Sequence, residues 1–544
     1  MPALKLYKAS AGSGKTYTLA LEYIKELLLG DSHTYRHILA VTFTKDATGE
    51  MKERIISDLY GLAFGTADSV DFLNSVANAL EEAGRKMDEP SIRSKAGGIL
   101  QTIIHDYSRL HITTIDSFFQ KVLRNLAREL GRSSKFNIEM NSAKVRREAV
   151  NRMIENAHRD SRLLQWLTTY IENKLEQDGN WRIKEDIYLF SECIYDEYFQ
   201  EHEAVLRSQL YKNPSIFSDI VKFHLTLLHE YKTYFGQVYG KVIDLLNINQ
   251  MNTDDFYQKD TVFDFWKKLA NNQSAKIEKT IEKLLSGAEN WSTKTHKRRN
   301  EIIALAENHL IDILSETVNT YQKQNASRLI LGNIHQLGLI WHITEEISNI
   351  NAENNKFMLS DTALFLFRMI DSSDAPFIFE KTGAEIRHIL IDEFQDTSRL
   401  QWGNFKVLLS DILANNRFSM IVGDVKQSIY RWRNGDWRIL NQIAKELPAQ
   451  EKSLDLNFRS EKRVITFNND FFAEAGRILD DKYREELFSL NESPFSTVYS
   501  KKNLTQIPQE KKDKGYVSIA FLQESENEKY KETVLSTLFE KIKI

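Results

Sequence analysis

Eight residues near the amino terminus, Ala9-Ser10-Ala11-Gly12-Ser13-Gly14-Lys15-Thr16, constrain the fold more than any other stretch. Leu4 to Lys8 before them alternates like a strand. Thr16 to Leu29 after them is apolar at three- and four-residue steps, with Gly30 placed to end a helix. Gly12 and Gly14 let the intervening backbone turn tightly, so that its amides point inward at the positive end of the helix. The spacing fits a phosphate-binding loop, except that Ala9 stands where the usual pattern has its first glycine. In that reading Ala9 to Thr16 cradle a nucleotide, Lys15 reaches the β- and γ-phosphates, and the Thr16 hydroxyl holds Mg²⁺.

A second feature supports the first. Ile389-Leu390-Ile391 is an apolar strand that ends in Asp392 and Glu393. A strand buried on both faces delivers Asp392 to the carboxyl edge of a parallel sheet, where it would bind Mg²⁺; Glu393 would orient or deprotonate the attacking water. Together the two features predict hydrolysis of ATP or GTP. The same pair also serves kinases, transporters and GTPases, so it does not name the machine.

The strand-and-helix pattern fills two regions separated by a long helical one. His37 to Phe43 and Leu110 to Ile115 read as further strands, with helices running to Ile56 and to Leu130, and Arg387 to Ile391 and Phe418 to Val422 resume the pattern. Between them lie amphipathic segments rich in Tyr, Trp and Phe. The 544 residues hold only 22 Gly and 7 Pro, which favours long helices over turn-rich β structure, and the length predicts three or more units. The expected fold is α/β, a parallel-sheet core split by a large all-helical insertion. Its expected divisions are 1–130 and 383–450 for the core, 131–382 for the insertion and 451–544 for the start of a second α/β unit. Leu454 to Asn457 and Gly515 to Phe521 are the expected strands of that second unit.

Cys193 is the single cysteine, so no internal disulfide is possible and a reducing compartment, the cytoplasm, is expected. No apolar run is long enough to span a membrane. The net charge of -4 excludes a globally basic nucleic-acid binder, so contacts with nucleic acid must come from local patches.

Five blocks supply those patches and a family. IDEFQDTSRLQW (Ile391 to Trp402) resembles the Walker B motif of the UvrD/RecB/AddA helicases of superfamily 1, and VGDVKQSIYRWRNGD (Val422 to Asp436) resembles their motif III. VTFTKDATGEMKERI (Val41 to Ile55) resembles motif Ia, TTIDSFFQKVLR (Thr113 to Arg124) the next block, and LNFRSEKRVITFNN (Leu456 to Asn469) motif IV. The resemblance implies two RecA-like cores closing on ATP, with Gln427 and Arg459 sensing the γ-phosphate and Phe458 against adenine. A guanidinium suits phosphate because its planar fork stays charged.

For single-stranded DNA the resemblance points to Phe43, Tyr430 and Trp432 as stacking partners and to Thr42 and Thr44 as phosphate contacts. Lys121 and Arg124, with Arg128, form a basic stripe on one helix face. Taken alone, each aromatic is better read as core, and the stripe reads equally well as a plain solvated face or a phosphate contact; position within the DNA-facing blocks favours the functional reading. Basic clusters at Lys144 to Arg147 and Lys297 to Arg299 are weaker candidates for contacting duplex DNA.

The sequence departs from the pattern in places. Eight residues before Ala9 leave no room for the adenine-reading glutamine segment of the UvrD branch, which resembles the RecB-like branch. Asp116 replaces a histidine frequent in its block. Later motifs, including a second phosphate-reaching arginine, are not found before Ile544, so an N-terminal portion of a 3′ to 5′ helicase is expected. It would act on single strands and junctions with duplex, in recombination and break repair, and its candidate partner is a second helicase-nuclease subunit. The competing readings are a helicase-nuclease whose nuclease lies beyond residue 544, and a DNA-binding scaffold with a weak ATP site.

Overall fold

Residues 4–129, 137–139, 141–178, 182–212, 215–354, 356–358, 362–364, 366–367, 385–486, 495, 498–499, 501–509, 513–519, 521 and 530–542 are described by the structure, a computed structural model. They fall into two compact units, Met1–Ile138 with Phe357–Ile544, and Glu139–Lys356. The expected boundaries at 131 and 382 lie outside the described residues.

The first unit opens with strand β1 (Leu4–Ala9), helix α1 (Lys15–Leu29), β2 (Ile38–Thr42), α2 (Lys45–Phe64), α3 (Val70–Glu82), α4 (Glu89–His105), β3 (Ile112–Thr114) and α5 (Ile115–Glu129). It continues with β4 (His388–Ile391), α6 (Arg399–Ala414), β5 (Ser419–Gly423), α7 (Arg438–Glu446), β6 (Ala449–Leu454), β7 (Leu456–Asn457), α8 (Lys462–Glu486) and β8 (Ile507–Pro508). Six strands form one sheet in the order β3-β2-β4-β5-β1-β6, parallel throughout.

The strand sequences explain why this sheet is covered on both sides. Residues one apart face opposite ways: Ile38, Ala40, Leu390, Met420 and Val422 pack under α1 to α4, whereas Leu39, Val41, Ile389, Ile391 and Ile421 pack against α5, α6 and α7. Each fully buried side chain of this kind contributes about 1.5–3 kcal/mol. Helix α2 runs to Phe64, past the expected end at Ile56, and stops where Gly65 takes φ 70°. Its start is fixed by Thr44, whose hydroxyl accepts the Ala47 N–H.

The last part of this unit corrects two expectations. Ala449–Leu454 is the sixth strand of the first sheet, paired with β1 from Leu4↔Ala449 to Ala9↔Leu454. The chain then breaks at Asp455, and only Leu456 and Asn457 leave that sheet, to pair with Ile507 and Pro508. Gly515 to Phe521 forms no strand among its described residues. Its alternation finds no neighbouring strand to pair with there, and Tyr516 and Phe521 stand 85% and 95% exposed.

The second unit is helical. Its longest helices, Ile216–Ile248 and Ile311–Glu353, span 33 and 43 residues. Its core gathers Phe235, Trp266, Trp291 and Tyr321. The indoles keep their polar ends satisfied: Trp266 donates to the Thr317 hydroxyl at 3.1 Å and Trp291 to the Leu284 carbonyl at 2.9 Å. Part of each basic cluster is engaged within the unit, while Lys144, Arg147 and Lys297 are exposed. Arg298 donates to the Gln250 and Asn249 carbonyls at 2.7 and 2.9 Å, and Arg299 to the Ser292 carbonyl at 3.0 Å. Arg146 is buried, and it and Arg147 lie 4.5 and 4.3 Å from the Tyr188 ring centroid. No described helix in either unit is long and apolar enough to cross a membrane.

Candidate active site

Sheet order explains why residues far apart in the chain meet. Strands β1, β5 and β4 are adjacent, so the segments leaving their carboxyl ends, after Ala9, Gly423 and Ile391, open onto one edge of the sheet. Ala9 ends β1 in register with Leu454, extended backbone that needs no glycine. The turn follows at Gly12 and Gly14, at φ 77° and 82°. Inside it, the Ser13 N–H and hydroxyl both donate to the Ser10 carbonyl, at 3.2 and 2.7 Å. Ser10 and Ser13 are buried, Ala11 and Thr16 exposed.

The Lys15 ammonium donates to both Glu393 oxygens at 3.1 Å and to Gln427 Oε1 at 3.2 Å, across 378 and 412 positions of sequence. The contacts continue into a closed ring. Gln395 Nε2 donates to Glu393 at 2.6 Å, and its Oε1 accepts the Asp424 N–H at 2.9 Å. Gln427 Nε2 then donates to Asp424 Oδ2 at 2.7 Å. Glu393 sits in the left-handed region at φ 50°, a conformation costing a non-glycine residue about 1–3 kcal/mol. Sequence reading missed Gln395 and Asp424; their signal was position alone, within a few residues of the strand ends that carry Asp392 and Gln427.

Asp392 is 6% exposed and accepts the Glu393 N–H at 2.9 Å. Burial, and then the neighbouring Glu393 carboxylate, push its carboxyl up to about 6 against the pull of Lys15. Asp392 and Thr16, exposed at the first turn of α1, carry hard oxygen donors of the kind that a divalent metal takes.

Motif IV lies against the loop. The Phe458 N–H donates to the Gly12 carbonyl at 2.8 Å and Asn457 Nδ2 to the Ala11 carbonyl at 3.1 Å. Asn457 Oδ1 accepts the N–H groups of Arg459 and Ser460, each at 2.9 Å. A Cβ placed on Gly12 would stand 2.8 Å from Arg459 Cβ and 2.9 Å from Asn457 Oδ1, and one on Gly14 would stand 3.7 Å from the Phe458 ring. Arg459 and Phe458 are exposed. Asn457, which sequence reading did not single out, therefore holds the loop and the Arg459 backbone together.

The candidate DNA residues divide. Phe43 and Tyr430 have ring centroids 4.6 Å apart, Tyr430 and Trp432 6.0 Å, and Trp432 is 77% exposed. Arg433, also missed from sequence, lies 5.1 Å from the Phe43 centroid and 5.8 Å from that of Trp432. Its guanidinium stands 3.9 Å from Asp116, whose other oxygen accepts from Gln401 at 3.1 Å; Asp116, the departure from the pattern, thus steadies the cation of this shelf.

Thr42 is a correction. It has no exposed surface, and its hydroxyl is engaged by the Thr44 carbonyl at 3.0 Å and the Thr48 hydroxyl at 2.6 Å, so it serves the turn and cannot reach a phosphate. Thr44 accepts the Ala47 N–H at 3.1 Å, which leaves its own proton to donate. Lys121 and Arg124 are exposed on α5 while Val122 and Leu123 are buried; the Arg128 side chain lies outside the described residues. Asp396 sits between the ring and the shelf, its carboxyl pushed up to about 6 by burial and Glu393 while the Ile429 and Tyr430 N–H groups stabilise its charge.

Residues 5–448 match the family described as the UvrD/REP helicase N-terminal domain. Three curated proteins similar to this chain are named as ATP-dependent helicase/nuclease subunits. The one from Streptococcus uberis is 25% identical over 520 residues, 89% of this chain and 38% of the relative. That from Streptococcus thermophilus is 24% identical over 516 residues, 88% of this chain and 39% of the relative. The Streptococcus mutans protein is 25% identical, with 89% and 38% covered. The chain thus spans about two fifths of the length of these relatives. With the family match running across most of the sequence and through every residue of the ring around Lys15, the chain belongs to the UvrD/REP helicase family.

Proposed function

We propose that this chain supplies the ATP-hydrolysing front of a DNA helicase that moves 3′ to 5′ on single strands and acts at junctions with duplex in recombination and double-strand-break repair. Direction and pathway rest on family resemblance. The observation that carries the reading is the ring joining Lys15, Glu393, Gln395, Asp424 and Gln427. Residues 1–130 and 383–450, extended by β6 to Leu454, would form the first RecA-like core around a helical insertion, 131–382; the rest would begin the second core.

Each group has a task. The amides of Ala9 to Gly14 and the Lys15 ammonium would bind the phosphates of ATP, and Phe458 the adenine. Thr16 and Asp392 would hold Mg²⁺, which supplies charge neutralisation on the phosphates when bound. Lys15 on moving to the nucleotide would leave Glu393, freeing that carboxylate to accept a proton from water. Gln427 and Arg459 would report the γ-phosphate, each from its own side of the cleft.

Phe43, Tyr430, Trp432 and Arg433 would stack bases with little sequence preference, and Thr44, Lys121 and Arg124 would contact phosphates. The relatives' names add a second reading, one half of a helicase-nuclease that works with a partner, separable by reading the coding sequence past residue 544.

Lys15→Ala is the test. Binding of a fluorescent ATP analogue with Mg²⁺ should weaken at least ~10-fold, and DNA-stimulated hydrolysis should fall by roughly 10²–10³. Equal binding and turnover would remove the assignment and favour a scaffold with an idle nucleotide site.

A further inference from the structure

Lys52 stands where two depressions of the α/β unit meet, apart from the ring around Lys15. One is a cavity of about 230 Å³ beside β3, lined by Lys52, Ser108, His111, Thr113, Ser117 and Lys121. The other is an open groove of about 520 Å³ over α2 and α4, lined by Lys52, Tyr60, Ile104 and Tyr107, with Glu53 on it as well. Strand β3 ends the sheet, so the cavity lies on its edge.

The cavity is cationic in its described lining, among which there is no carboxylate. The Lys52 ammonium faces the Tyr107 ring, 5.8 Å from its centroid. Burial first, and then Lys121, His37 and Arg109, cations or groups that become cations, hold the His111 imidazole down at about 4. The nearby acid, Asp106, is already paired with Arg36 at 2.8 Å and Arg109 at 3.6 Å. Ser108 Oγ donates to Asp106 at 3.3 Å, whereas Ser117 is suited to donate into the cavity: its Oγ accepts from Thr114 at 2.7 Å, which turns its own proton elsewhere.

The groove beside it is of opposite character. Tyr60, Ile104 and Tyr107 are 51%, 62% and 47% exposed. A free inorganic anion has no use for such a surface, and an acidic peptide sets a ring beside each anion only where its sequence happens to alternate them. A nucleic-acid strand carries both chemistries, an anionic diester and flat apolar bases, at every step.

We propose that this edge is a second single-strand contact: Lys52, Lys121 and the surrounding hydroxyls take a phosphodiester, and Tyr107 and Tyr60 take the adjoining bases. It rests on the reading of the chain as a DNA motor and lengthens the path beyond the Phe43–Tyr430–Trp432 shelf, with Lys121 common to both.

The experiment uses the 544-residue chain, fluorescence anisotropy with a labelled oligothymidylate of about 30 nucleotides, and a matching strand of abasic sites. Lys52→Glu should weaken both strands roughly tenfold and lower the slope of log affinity against log salt by about one. Tyr107→Ala should weaken only the base-bearing strand, by roughly fivefold or more. Unchanged affinity and salt slope in Lys52→Glu overturn the proposal. A Tyr107→Ala protein that binds both strands like wild type also overturns it, leaving an anion pocket alone, which inorganic phosphate would then fill. Tyr430→Ala separates the two layers: if it weakens binding and Lys52→Glu does not, only the edge contact fails. If the wild-type chain binds no strand, the motor reading fails with it. Thermal unfolding of each variant at the wild-type temperature shows that lost binding is not lost folding.

Discussion

The α/β unit and the helical unit use charge and aromatic rings in opposite ways. In the helical unit cations turn inward: Arg298 holds the Gln250 and Asn249 carbonyls, Arg299 that of Ser292, and Arg146 is buried against Tyr188. Trp266 and Trp291 are buried with their N–H groups bonded. In the α/β unit Glu393 takes a left-handed backbone, Asp392 is buried with its acidity displaced, and Trp432 stands in solvent. The first pattern is a structure satisfying itself. The second holds strain and unspent valence at one sheet edge, a condition that persists when a ligand uses it.

The largest effect expected from this contrast is in the helical core. Trp291→Ala should cost about 3–5 kcal/mol, since a fully buried indole is replaced by a cavity and the Leu284 carbonyl loses its donor. Hydrogen exchange should speed up across Val242, Ile302 and Leu314, which share its core, while affinity for an ATP analogue stays within about twofold. Exchange spreading equally into β1 and β5 would break the contrast, because the two sets of contacts would then share one cooperative unit.

Trp432→Ala sharpens it from the other side. A ring 77% exposed contributes little to folding, so the melting temperature should hold. Single-strand affinity should drop by about 1–3 kcal/mol. A fall in stability with unchanged affinity would return Trp432 to a packing role.

The legibility of these features follows the same division. The parallel sheet could be read because both of its faces are apolar, so Ile389, Leu390 and Ile391 form an unbroken run that only a doubly covered strand explains. Lys15, Asp392 and Glu393 were readable because phosphate chemistry demands fixed residue types at fixed offsets from strand ends. Gln395, Asp424 and Asn457 were not, since an amide or acid that orients a neighbour has no required spacing; only the fold shows what it faces. Thr42 misled because motif position says nothing about which way a hydroxyl turns, and here it turns to Thr44 and Thr48. β6 was assigned elsewhere because AQEKSL is polar, as an edge strand can be when it pairs on one side through its backbone.

Arg298→Ala should cost about 1–2 kcal/mol, by denaturant unfolding, because two carbonyls and Glu301 lose a charged donor that is partly exposed. DNA affinity and its salt slope should stay at wild-type values. A slope lower by about one would show that this arginine meets a phosphate after all.

The smallest effect tests the field at the sheet edge. His111 is held at about 4 from an ordinary 6.5, by burial first and then by Lys121, His37 and Arg109. Its folded value lies below its unfolded one, so as pH falls from 6.5 towards 4 the unfolded chain takes up a proton that the folded chain refuses. Stability from this residue is complete above that window and lost within it. The melting temperature should therefore fall further between pH 7 and pH 5 in wild type than in His111→Gln, other titrations cancelling in the difference. A bound strand should shrink that gap, because a phosphodiester beside Lys52 and Lys121 offsets the charge that keeps the imidazole neutral. An equal fall in both proteins would mean that neither burial nor those cations hold His111 down, and the contrast between a self-satisfied unit and one with unspent charge would then stop at the Lys15 cleft.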